Sequence, residues 1–87
     1  MGNFLHSREF LQSSDVVVVT IEYYAANVKL MDDLNYSAYK AGNRYTCYGA
    51  RAISSPYRTS PPYSGYWNVV IDDPGGPLKA SIRFLKA

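Results

Sequence analysis

Apolar and polar residues alternate with a period of two along much of this chain. The clearest run is Ser64-Gly65-Tyr66-Trp67-Asn68-Val69-Val70-Ile71-Asp72. Its odd positions, Trp67, Val69 and Ile71, are all apolar, whereas the even positions mix Tyr66, Asn68, Val70 and Asp72. Such alternation marks a half-buried strand and predicts Trp67 in the core. A second β signal runs from Val16 to Ile21, where every residue is β-branched and stiff at χ1. Val17, Val19 and Ile21 are expected to face the main core, and Val16 and Val18 imply that the opposite face is partly covered as well. In the last predicted strand, Ala80, Ile82 and Phe84 point inward while Ser81 and Arg83 point out.

Weaker signals fill the rest. Phe4 to Leu11 fits a short strand with an irregular end, a helical turn being the alternative, and is ended by the polar break Gln12-Ser13-Ser14-Asp15. Ala25-Ala26-Asn27 reads as a turn and Val28 to Met31 as the returning strand, with Val28 and Leu30 inward. Asp32-Asp33 stops that strand and offers a helix N-cap. Leu34, Ala38 and Ala41 recur at i, i+4 and i+7, and Gly42 stands where a left-handed C-cap belongs, which predicts one helix over residues 34–41. Arg44 to Tyr48 reads as a strand closed by Gly49, with Cys47 buried in its middle. Pro56, Pro61 and Pro62 confine any pairing between Ala50 and Ser64 to a sheet edge. Short strands with one inserted helix give a mainly β fold, a small antiparallel β-sandwich or partly open barrel in a single domain over residues 1–87.

Composition acts mostly by exclusion. A chain of 87 residues has room for one core. With 18% charged residues and a net charge of +2, it is neither a disordered chain nor one whose total charge steers it to a polyanion. No apolar stretch approaches the ~18 residues of a membrane span. The first residues lack the pattern of a secretory signal, and the one cysteine forms no internal disulfide, so a cytoplasmic, bacterial-type protein is expected. Met1-Gly2 opens like a myristoylation site, but His6 stands where that motif needs Ser or Thr.

Candidate chemistry concentrates in one segment. Between Asp33 and Asp72 there is no acidic residue, while Lys40, Arg44, Arg51 and Arg58 all fall inside it. Tyr36, Tyr39, Tyr45, Tyr48, Tyr57, Tyr63 and Tyr66 share the segment. Guanidinium groups beside flat aromatic faces suit phosphate contact and base stacking. Tyr36, Tyr39, Lys40, Arg44, Arg51, Tyr57 and Arg58 are therefore the candidate binding residues, for a nucleotide, a nucleic acid or a protein partner. The plainer reading is of half-buried strand tyrosines among solvated cations.

Catalytic and metal motifs are not expected. His6 and Cys47 are the only residues of their types and lie far apart, too few for a metal quartet. Asp32-Asp33 and Asp72-Asp73 lack the alternating spacing of a calcium loop. No Gly-x-Ser-x-Gly elbow surrounds a serine, and Gly75-Gly76 precedes no helix. The alternative is a small enzyme built around His6 and nearby carboxylates. Against it, His6 and Ser7 are strand neighbours and so point to opposite faces. No cofactor is expected.

Several of these pieces together resemble a small bacterial family, domain of unknown function 1883. They are Phe4-Leu5-His6-Ser7-Arg8-Glu9, Asp15-Val16-Val17-Val18-Val19, Val28 with Leu30-Met31-Asp32-Asp33, and Gly65-Tyr66-Trp67-Asn68-Val69-Val70-Ile71-Asp72. Asn35-Tyr36, Tyr39, Gly42, Tyr48-Gly49, Pro56 and Pro62 add to the likeness. The resemblance implies a small β protein, stand-alone or joined to signalling domains of the Toll/interleukin-receptor type, and so recognition rather than catalysis. This chain departs from its relatives at Ala50, where they carry glycine, and at Ile53-Ser54-Ser55, where they carry basic residues. Losing those cations weakens the case for an anion-binding role in this protein.

Overall fold

The structure, a computed structural model, describes residues 4–22 and 25–87. Its elements are β1 (Leu5–Leu11), β2 (Val16–Ile21), β3 (Ala26–Asp32), α1 (Asp33–Lys40), β4 (Tyr48–Ala52), β5 (Tyr57–Thr59), β6 (Gly65–Asp72) and β7 (Ala80–Leu85). They form two antiparallel sheets, one of four strands in the order β1-β6-β3-β4 and one of three in the order β5-β2-β7. The fold is thus mainly β, with one short helix. Strands with strict alternation take the orientation that the alternation dictates. Trp67, Val69 and Ile71 of β6 meet Val17 and Val19 of β2 in one buried cluster, with Ile82 and Phe84 of β7 packed against it. A slip of β6 by one residue would bring Asn68 into that cluster and turn Trp67 out, so the register is strongly specified.

Three local expectations change. Ala26 and Asn27 belong to β3, not to a turn, and Ala26 is fully buried opposite Ala52. Alanine carries no β-branch to announce a strand, so the pairing decides. Residues 43–47 form a loop, and the strand expected over Arg44–Tyr48 begins only at Tyr48 and continues through Gly49. Gly49 holds φ +130°, and a Cβ there would lie 2.1 Å from the Val28 carbonyl oxygen. Glycine lets β4 approach β3 closely; it does not close a strand. In the loop, the Thr46 N–H donates to Asn35 Oδ1, so that backbone group is satisfied away from a ladder. Cys47 is consequently exposed.

The helix begins one residue early and is rotated from its expected face. Asp32 is the N-cap, its carboxylate accepting from the Asn35 N–H at 2.8 Å. At the other end Asn43 N–H bonds the Ala38 carbonyl and Gly42 N–H bonds the Tyr39 carbonyl, with Gly42 at φ +76°. That is a Schellman-type stop on a left-handed glycine. Leu34 is 81% exposed, whereas Tyr36 and Tyr39 are half-buried toward the sheet. The contacts between Asp33 and Arg8 and between Tyr39 and Asp72 set this phase, and an apolar count over Leu34, Ala38 and Ala41 cannot see them.

Candidate functional site

The outer face of the four-stranded sheet is built from the positions that alternate with the core. β1 contributes His6, Arg8 and Phe10, and β6 contributes Tyr66, Asn68, Val70 and Asp72. β3 adds Lys29 and Met31. Helix α1 leaves β3 at Asp33 and folds back across this face, because Tyr39 near its end reaches Asp72, the residue paired with Asn27 at the start of β3. Val70 and Met31 are sealed beneath it at 0% and 1% exposure.

Two polar networks tie helix to sheet. In the first, fully buried Asn68 donates through Nδ2 to the Met31 carbonyl at 3.2 Å and to Asp33 Oδ1 at 2.8 Å. Both acceptors lack a proton, so the amide orientation is fixed, and Oδ1 must accept from His6 Nε2 at 2.8 Å. His6 therefore carries its proton on Nε2, and its ring stacks on Tyr36 with centroids 4.1 Å apart. Arg8 grips Asp33 with two bonds of 2.9 and 2.7 Å, while its guanidinium lies 4.0 Å from the Tyr66 ring centre. The Arg8 bonds, then that from Asn68, hold the Asp33 carboxyl down at a pKa of about 2.

The second network joins Lys29, Asp72, Tyr39 and Tyr45. Lys29 Nζ donates to Asp72 Oδ2 and to the Tyr45 hydroxyl, each at 2.8 Å, and the Tyr39 hydroxyl donates to Asp72 Oδ2 at 2.5 Å. Burial opposes charge on both Lys29 and Asp72, but these bonds outweigh it, raising the lysine's pKa and lowering the aspartate's. Burial and then the Asp72 carboxylate raise the Tyr39 hydroxyl, which stays protonated. Asp72 Oδ1 is buried without a partner among the described residues. Beside this network a shallow cleft of about 240 Å³ opens between β3 and β4, lined by Asn27, Lys29, Cys47, Gly49 and Arg51 among others. Partial desolvation raises the Cys47 pKa against the opposing Lys29 charge, so the group there is a thiol rather than a thiolate.

The seven candidate residues divide between two sheets. Tyr36, Tyr39 and Lys40 lie on α1, Lys40 Nζ sitting 4.6 Å from the Tyr36 ring centre, and Arg44 follows in the exposed loop. Arg51 stands on β4 and donates to Asn27 Oδ1 and the Asp73 carbonyl. Tyr57 packs against the core, and Arg58 is on the outer face of the three-stranded sheet. Tyr57 and Arg58 are neighbours on β5, so they cannot share a surface. The sequence reading missed the roles of Arg8, Lys29 and Asn68. Their one available signal was a polar residue at an outward position beside valines or Met31.

Charge pairing separates the cations further. Arg8, Lys29, Arg51, Lys79 and Lys86 each lie within 4 Å of a carboxylate oxygen. Among the described residues Lys40, Arg44, Arg58 and Arg83 do not. Lys40 and Arg44 sit at the end of the helix, and Arg58 and Arg83 on the opposite sheet. No three His, Cys, Asp or Glu side chains converge among the described residues, and no described helix is long and apolar enough to cross a membrane. Comparison with curated proteins and with solved structures returns no match. The family described as Domain of unknown function (DUF1883) matches residues 2–87, and the chain belongs to it.

Proposed function

We propose that this protein is a non-catalytic recognition module of a single domain, engaging an anionic partner through the shoulder formed by α1 and the loop that follows it. The carrying observation is the contrast in how its polar groups are used. His6, Asp33 and Asp72, the groups an enzyme would need free, are spent on holding α1 to the sheet. Lys40 and Arg44, by contrast, face solvent without a carboxylate, beside Tyr36 and Tyr45. Cations next to aromatic rings suit an anion that carries flat groups. The lone cysteine, exposed at Cys47, supports a reducing compartment such as the cytoplasm.

Fluorescence anisotropy with a labelled single-stranded oligonucleotide tests this reading across a salt series. Affinity should fall with salt, and the Lys40→Gln/Arg44→Gln double variant should reduce the log–log salt slope by about 2. Binding that ignores both salt and the variant overturns it. A protein partner is the second reading, favoured by Phe10, Tyr48, Tyr63 and Tyr66, each 46–51% exposed around the Trp67 end of the sheet. There Tyr63→Ala would weaken binding more than any cation change.

A further inference from the structure

The three-stranded sheet has a second, unrelated group of unpaired cations. On β2, Val17 and Val19 turn into the core, so Val18 points away from it. Val18 is nevertheless only 1% exposed. Its partners in register are Arg58 on β5 and Arg83 on β7, one on each flank. Long arginine stems can lie along apolar surface while their charged ends reach for water, and the register puts both stems next to Val18. The two Cα positions are two strand spacings apart, ~10 Å. That span is within reach of two guanidinium groups closing on one anion.

Nothing anionic lies between them. None of β2, β5 and β7 carries an Asp or Glu, and among the described residues neither arginine has a hydrogen-bond or ion-pair partner. Two like charges flanking one valine in register repel, and an anion between them would relieve that repulsion. Thr20 and Ser81, paired in register one outward row along, offer hydroxyl donors beside the arginines. Tyr57 and Phe84, the aromatic residues of these strands, pack against the core. Among the described residues of these strands this face therefore has no ring for base stacking, and its chemistry matches a charged group rather than a base.

We propose that the outer face of the three-stranded sheet is a phosphoryl-binding site, with Arg58 and Arg83 clamping one phosphoryl group above Val18 and Thr20 and Ser81 supplying further donors. Guanidinium forks fit phosphate oxygens two at a time, which a lysine pair could not reproduce. The phosphoryl group is either free in solution, as in an oligophosphate, or carried on a lipid headgroup. The site is separate from Lys40 and Arg44 and stands whether or not the α1 shoulder binds anything.

Backbone amide NMR on the intact protein tests it with two probes, inorganic tripolyphosphate and phosphatidylcholine vesicles containing phosphatidic acid. Saturable shifts should centre on Val18, Arg58, Arg83, Thr20 and Ser81. Arg58→Gln and Arg83→Gln should each weaken binding about ten-fold or more, with unchanged thermal melts because both side chains are exposed. Lys40→Gln/Arg44→Gln should leave it unaltered. Binding to vesicles alone, with the same dependence on both arginines, supports the site and assigns the group to a headgroup. Absence of saturable shifts with either probe, or shifts that ignore both arginine variants, overturns the proposal.

Discussion

The two outer faces of this sandwich solve the same problem in opposite ways. The four-stranded sheet places Asn68, Lys29 and Asp72 on its outer face and then covers them with α1, where their polar groups bond within the protein and leave Asp72 Oδ1 alone without a partner among the described residues. The three-stranded sheet places Arg58 and Arg83 outward and leaves them uncovered, without a carboxylate among the described residues. A covered polar group must find a partner or cost folding energy. An open one can wait for a ligand. Closed chemistry therefore reads as architecture here, and unpaired open charge as recognition.

The sharpest way to break the comparison is to remove what both faces share. Trp67→Ala, at 1% exposure and in contact with Tyr48 and Tyr63, should cost about 3–5 kcal/mol. Such a loss would unfold much of a marginally stable domain. Chemical denaturation followed by circular dichroism reads this directly, and a loss under about 1 kcal/mol would contradict the core assignment.

Next in size is the contrast between faces. Asn68→Ala leaves the buried Met31 carbonyl without its side-chain partner and takes one bond each from the exposed Asp33 and His6, and should cost about 1–3 kcal/mol. Thr20→Ala on the open face should stay within about 0.5 kcal/mol. Equal losses at the two positions would erase the distinction.

Acid should separate the faces too. The Asp33 carboxyl has a folded-state pKa of about 2 against an ordinary value of 3.8. Its contribution is thus present above that ordinary value and lost as pH falls toward 2. Asp15, held low by the Ala87 and Gln12 N–H groups, and Asp72 act in the same direction. Asp33→Asn should flatten the acid limb of a stability–pH curve, whereas Arg83→Gln should leave its shape alone. The smallest effect belongs to the open arginines. Arg58→Gln or Arg83→Gln should change stability by less than about 0.5 kcal/mol, with a slight gain at low salt where repulsion is least screened.

How much of this was legible depended on whether a residue's role was set by its own strand. β2, β6 and β7 announced their inward faces through alternation, and Asp32 announced the cap, because those signals are local. The rotation of α1 was not legible, since it is set by Arg8 and Asp72, 25 and 33 residues away from the Asp33 and Tyr39 they bind. β4 was hidden because Gly49 looks like a strand end until Val28 is known to lie against it. The candidate site pooled Tyr57 and Arg58 with the helix because they share a stretch of sequence free of carboxylates. Their adjacency on a strand already implied opposite faces, but which sheet they joined required the β2–β5 pairing. Arg83 was visible as an outward residue, yet its companion across Val18 was not.

The pairing of β1 with β6 also shapes the order in which the molecule can be made. His6 lies opposite Val70, so β1 finds its strand partner among the described residues in β6, after β2, β3, α1, β4 and β5 have been made. An eight-residue helix is marginal alone, so α1 must await the same sheet for the contacts that hold it. Long-range pairings of this kind make folding slow and late. During synthesis the nascent chain carries β1, with Phe10 and Leu11, unpaired until β6 emerges, and the centre of the four-stranded sheet closes only once β6 has been made.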